Sequence, residues 1–79
     1  MPFFRIHMID SDFESSEESE YASLDAAKKS ATGSAIKVAA ENLAEGEETS
    51  AVHLRIEEND RTVAHYVVNL RVSPLLPDA

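Results

Sequence analysis

Between Ser23 and Ala44 the apolar residues recur at helical spacing. Leu24, Ala27, Ala31, Ala35, Val38, Ala39 and Leu43 form one broad arc, with Ile36 on its edge. Lys29, Ser30, Lys37 and Glu41 fall on the opposite side. The arc is rich in alanine, so the helix it predicts can approach its partner surface closely. The ends are marked as well. The Ser23 hydroxyl can accept from the free N–H groups of the first turn, and Asp25 sits at the positive end of the dipole. Gly46 can take the left-handed conformation that closes a helix. Gly33 falls on the polar side, where it costs about 1 kcal/mol against alanine and needs no packing role.

On both sides of this helix the period drops to two. Phe4, Ile6 and Met8 alternate with Arg5 and His7, which predicts a strand over Phe3 to Ile9. Phe3 and Ile9 break the alternation, so some cover is expected on the second face too. Val52, Leu54 and Ile56 alternate with His53, Arg55 and Glu57 in a strand over Ala51 to Glu57. A turn at Glu58-Asn59-Asp60-Arg61 leads into a third strand, Thr62 to Val72, because Asn and Asp tolerate left-handed backbone. Pro74 and Pro77 end regular structure, leaving a tail over 73–79. The expected fold is α+β: a small antiparallel sheet of three to four strands with one long helix on one face, in the order β-(β)-α-β-β. A single domain spans 1–72.

The hairpin allows two registers. A loop of even length pairs Ile56 with Val63 and turns His65 inward. A three-residue loop, Asn59 to Arg61, pairs Ile56 with Ala64 and buries Ala64, Tyr66, Val68 and Leu70. The second keeps one face apolar on every strand and is preferred. It places His7, His53 and His65 on the outer face and leaves Val63 and Val67 there uncovered.

The run Asp10-Ser-Asp-Phe-Glu-Ser-Ser-Glu-Glu-Ser-Glu20 departs from this packed pattern. Its carboxylates repel one another, and Phe13 is its one apolar residue. It reads as a wide loop, a frayed hairpin whose return strand runs near Glu20-Tyr21, or a disordered arm, and is expected to be mobile. Asp10, Asp12 and Glu14 match the opening of a calcium loop, since hard cations want converging carboxylates. The sixth position, which should be Gly, is Ser15, and the twelfth, which should be Glu, is Tyr21, so the run is read as a solvated acidic loop. Ser15-Ser16-Glu17-Glu18 matches acidic-directed phosphorylation sites, and equally a capping box. The capping box is the preferred reading.

Charge and residue inventory exclude several functions. The formal net charge is −8, and the seven basic residues are scattered, which argues against nucleic acid and against an anionic membrane surface. No apolar run approaches spanning length. Met1-Pro2-Phe3-Phe4-Arg5 is followed by His and later Asp rather than by an apolar core, so no signal peptide is expected, and a cytoplasmic location is. There is no cysteine, hence no disulfide and no thiolate nucleophile or ligand. With two glycines there is no phosphate-cradling loop, and no serine sits in a nucleophile elbow. Three histidines on one face could ligate zinc or form a subunit interface sensitive to pH near 6. Surface or interface histidines are the preferred reading. No catalytic residue, cofactor or metal site is assigned.

The order of the pieces resembles a family of short bacterial proteins known only as a domain of unknown function. The likeness rests on Met1-Pro2-Phe3-Phe4-Arg5-Ile6-His7, on the acidic Glu17-Glu18-Ser19-Glu20, on Leu24-Asp25-Ala26-Ala27 and on the turn Glu57-Glu58-Asn59-Asp60-Arg61. It covers residues 1 to about 72. Ser19 and Asp60 stand where members carry Gly. The resemblance implies the architecture and brings no activity, cofactor or catalytic residue.

A chain of 79 residues buries a modest core, and oligomerisation is its simplest remedy. The expected function is that of a small non-enzymatic acidic interaction protein that self-associates as a homodimer. Candidate interaction residues are Phe3, His7, His53, Val63, His65 and Val67 on the sheet, and Asp10, Asp12, Glu14, Glu17, Glu18 and Glu20 in the acidic run. The alternatives are a cation- or metal-binding protein using segment 10–20 or the histidines, and an acidic decoy for a basic nucleic-acid-binding protein.

Overall fold

The computed structural model describes residues 1–75. Its elements are β1 (Phe3–Ile9), β2 (Glu14–Glu20), α1 (Leu24–Ala44), β3 (Thr49–Glu58) and β4 (Arg61–Arg71). The four strands form one antiparallel sheet in the order β2-β1-β3-β4, with α1 packed on one face. This is the α+β arrangement expected from the alternation of periods.

The helix begins and ends where its capping chemistry dictates. Ser23 is extended (φ −159°, ψ 167°), and its hydroxyl accepts from the Ala26 N–H at 3.1 Å. At the other end Gly46 takes φ 111°. Its N–H donates to the Leu43 carbonyl, and the Glu47 N–H donates to the Asn42 carbonyl. These are the two bonds of a Schellman motif, which satisfies carbonyls the helix would otherwise leave open. Ala27, Ala31, Ala35 and Ala39 are the buried residues of the helix. They lie against Phe4 and Met8 of β1 and Val52, Leu54 and Ile56 of β3. Four larger side chains, Phe4, Val52, Leu54 and Ile56, are fully buried, each worth about 1.5–3 kcal/mol of apolar transfer. Ala64, Tyr66, Val68 and Leu70 of β4 pack on the margin of this core.

Of the three readings of the acidic run, the hairpin is the one found, with the optional fourth strand: the return strand is β2, and the run is not the mobile loop expected. Glu14 to Glu20 pair with Ile9 to Phe3, residue for residue. Asp10 to Phe13 form the turn between them, closed by the Asp10 N–H to the Phe13 carbonyl at 2.9 Å. The pairing is carried by backbone groups, which are indifferent to side-chain polarity, so seven residues without a single apolar side chain still form a ladder. Deleting Ser15 to Ser19 strips the backbone partners on that side from Phe4 to Met8, so the melting temperature should fall.

The hairpin combines both registers considered for it. Asn59 (φ 53°) and Asp60 (φ 63°) form a two-residue left-handed turn, closing the Glu58–Arg61 pair, so the expected three-residue loop is incorrect. A bulge between Ile56 and Glu57 then inserts one residue into β4. Glu57 pairs with Thr62, but Ile56 pairs with Ala64. The bulge flips the parity that the even loop would impose and delivers the apolar register. After β4 the chain has no regular structure as far as Leu75. Residues 76–79 of the expected tail lie outside the described residues.

Candidate functional site

The helix lies over β3 and β4, touches β1 less, and does not reach across to β2. Two surfaces remain. One is a cleft on the helix side between α1 and β2. The other is the whole opposite face of the sheet.

The cleft has a volume of about 290 Å³. Ile6 and Met8 form its floor, Ser15 and Glu17 of β2 one wall, and Ser30, Ala31 and Ser34 of α1 the other, with Tyr21 at the end. Tyr21 Oη and Ser30 Oγ lie 3.2 Å apart. The lining contains one carboxylate, Glu17, with hydroxyls and no imidazole, and among the described residues Glu17 makes no hydrogen bond to a serine that would activate it.

Strand alternation builds the open face. With Phe4, Met8, Val52, Leu54 and Ile56 turned to the helix, the residues between them turn away. Rows across the sheet are fixed by pairing. One row is Ser16–His7–Arg55–His65, the next Glu14–Ile9–His53–Val67, and the third Glu18–Arg5–Glu57–Thr62. His7 Nε2 meets Glu57 Oε1 at 2.5 Å, with only 14% and 25% of these side chains exposed. The hydrogen bond from His7 holds the Glu57 carboxyl below the usual carboxylate range. Desolvation opposes this bond in part, and the charges of His7, Arg55 and Arg5 each add a lesser lowering. Arg5 lies 3.7 Å from Glu18 and 3.5 Å from Ser16 Oγ. At the centre of the face Arg55 Nε is shut off from solvent and meets no hydrogen-bond acceptor among the described residues. Phe3 is 56% exposed, Val67 41% and Val63 39%.

All three histidines lie on this face, as the preferred register requires. His53 and His65 are exposed, while His7 is committed to Glu57. The acidic residues do not act together. Glu14, Glu18 and Glu20 line the open side of β2, whereas Glu17 points to the cleft. Asp10 accepts from the Asp12 N–H at 2.6 Å and from Asn42 Nδ2 at 3.2 Å. Chiefly the first of these bonds holds its carboxyl below the ordinary value. Asp10, Asp12 and Glu14 therefore do not converge. Among the described residues no three His, Asp or Glu side chains are arranged to hold a metal ion.

Two polar positions escaped the sequence reading. Asn42 Nδ2 also donates to Ser50 Oγ at 2.9 Å, tying the end of α1 to the start of β3 and to the β1–β2 turn. Ser50 is buried and stands in phase with Val52, Leu54 and Ile56. A serine at an inward position is a signal that a polar partner is waiting for it. The sequence pattern marks Arg55 and Glu57 only as the outward half of an alternation, since their environment depends on strand order.

No helix among the described residues is long and apolar enough to cross a membrane. Comparison with protein-family models, with curated proteins and with solved structures gives no match for this chain.

Proposed function

We propose that this chain is a small non-enzymatic interaction protein that self-associates through the open face of its sheet, a second copy being the occupant of that face. The observation that carries this reading is a contrast in charge. Along the paired rows the open face holds four carboxylates, Glu14, Glu18, Glu20 and Glu57, against three guanidinium groups, Arg5, Arg55 and Arg71. The chain as a whole carries −8. The open face is thus close to neutral on a molecule whose other surfaces repel their own copies. It also holds Phe3, Val63 and Val67, each exposed by more than a third. Apolar exposure and charge neutrality coincide on one face, where burial against a copy is least opposed.

Sedimentation velocity over a range of protein concentrations tests it. The expected result at pH 8 and moderate salt is a dimer at high micromolar concentration. Salt should tighten it by screening the long-range repulsion between two acidic chains. Val67→Asp should give a folded monomer. A wild-type chain that stays monomeric under those conditions overturns the reading.

A further inference from the structure

We infer that the two copies meet about a two-fold axis running parallel to the strands, so that β2 of each lies across β4 of the other. The inference rests on the open-face reading above and fixes its geometry.

The argument is the lateral distribution of charge. The open side of β2 carries Glu14, Glu18 and Glu20 and no base, while the open side of β4 carries Thr62, His65, Val67, Asn69 and Arg71 and no acid. One edge of the face is therefore strongly acidic, while the other carries a single arginine and no acid. Two sheets packing face to face on a two-fold axis have two main choices. An axis across the strands sets β2 over β2, with three glutamates facing three more. An axis along the strands reverses the order of one sheet, and each acidic edge then covers an edge that has no acid. Like charges brought together at a contact are strongly disfavoured, so complementarity selects the second. Either axis keeps the strands of the two sheets roughly aligned, the usual packing for twisted sheets about 10 Å apart, so the charge decides between them.

This axis makes each row face its own reverse. Arg5 faces the partner's Glu57, and Glu57 faces the partner's Arg5. Arg55 comes over the partner's His7, whose carboxylate companion is the partner's Glu57. Ser16 faces the partner's His65. No slide along the axis is available, because a two-fold rotation has none, so the rows predict contacts without a free parameter in that direction.

The chain has no cysteine, which makes the test clean. Ser16 and His65 of one chain lie at opposite edges of the sheet, three strand spacings or about 14 Å apart, and a short bifunctional thiol cross-linker cannot bridge them. Ser16→Cys/His65→Cys treated with such a cross-linker should give a covalent dimer, and Ser16→Cys or Glu18→Cys alone should not. A second pair one row away, Glu18→Cys/Thr62→Cys, should behave as the first and guards against one substitution weakening the contact. Sedimentation of each variant before cross-linking separates the outcomes. A dimer in which Ser16→Cys or Glu18→Cys alone cross-links as well as the double variants overturns the axis and leaves the open-face reading standing. A dimer in which no variant cross-links overturns both, as does a monomer.

Discussion

The two outer strands of the sheet, β2 and β4, are held in opposite ways. The inward side of β4 is Ala64, Tyr66, Val68 and Leu70, packed on the core, and Tyr66 Oη bonds to Thr32 Oγ1 at 2.9 Å and to the Lys28 carbonyl at 3.2 Å. The Lys28 ammonium also lies 5.6 Å from the centre of the Tyr66 ring. The inward side of β2 is Ser15, Glu17 and Ser19, beyond the reach of the helix. β4 is a strand because of what its side chains bury. β2 is a strand because β1 offers it a row of backbone partners. Two strands equally regular in the backbone thus differ in what would undo them.

The largest test of that difference is Tyr66→Ala against Glu17→Ala. The first removes a ring and its hydrogen bonds from the helix contact and should cost about 3 kcal/mol in urea melts. The second sits at an inward position of β2 and should stay within about 0.5 kcal/mol. Equal losses would erase the distinction. The next test attacks the helix that covers one strand and not the other. Ala35 is fully buried, so Ala35→Leu should cost about 1–3 kcal/mol by overpacking, while Lys37→Leu on the exposed side should change little. A smaller and opposite effect should come from giving β2 what it lacks. Glu17→Val sets a β-branched residue against Ile6 and should stabilise by about 0.5 kcal/mol. Native-state amide exchange should then show slower exchange in β2, which in the wild type should open more readily than β4.

The smallest effects lie in acid. Asp10 and Glu57 both have carboxyl pKa values depressed by the fold, Asp10 first by the Asp12 N–H and Glu57 first by His7. A depressed carboxylate stabilises the fold above its unfolded pKa of about 4, and that stabilisation is lost as pH falls through the lower folded value. Asp10→Asn and Glu57→Gln should therefore flatten the loss of stability below pH 4 and leave its slope near neutrality unchanged. Thermal melts across that range would show it. An unaltered acid limb in both variants would mean that the two bonds do not persist in solution.

The same contrast governs what could be read from the sequence. Every element whose side chains face the core was legible: β1, α1, β3 and β4 each carry a period, and Ser23 and Gly46 mark the helix ends. β2 carries no period, since nothing on it is buried, and seven residues of Glu and Ser look alike as loop or strand. Of the site, the outward positions of Val63, Val67 and the histidines followed from register alone. A three-residue loop would give the same register as the two-residue turn plus bulge, and no residue in the sequence announces the bulge after Thr62. The His7–Glu57 pair and the orphan Arg55 needed the neighbouring of β1 and β3, which local pattern does not contain.

The helix has a further role as the link between two hairpins. The β1–β2 and β3–β4 pairs close over short turns and can form in about 1–10 μs. β1 and β3, by contrast, must meet across the helix, and His7 and Glu57 are 50 residues apart in sequence. Joining the hairpins and docking the helix are therefore one event, the step that must overcome the entropy of closing a long loop. The row of small side chains on α1 lets that step finish without threading bulky groups past one another. Substitutions along the row should slow folding, whereas changes at the far edge of β4 should mainly hasten unfolding.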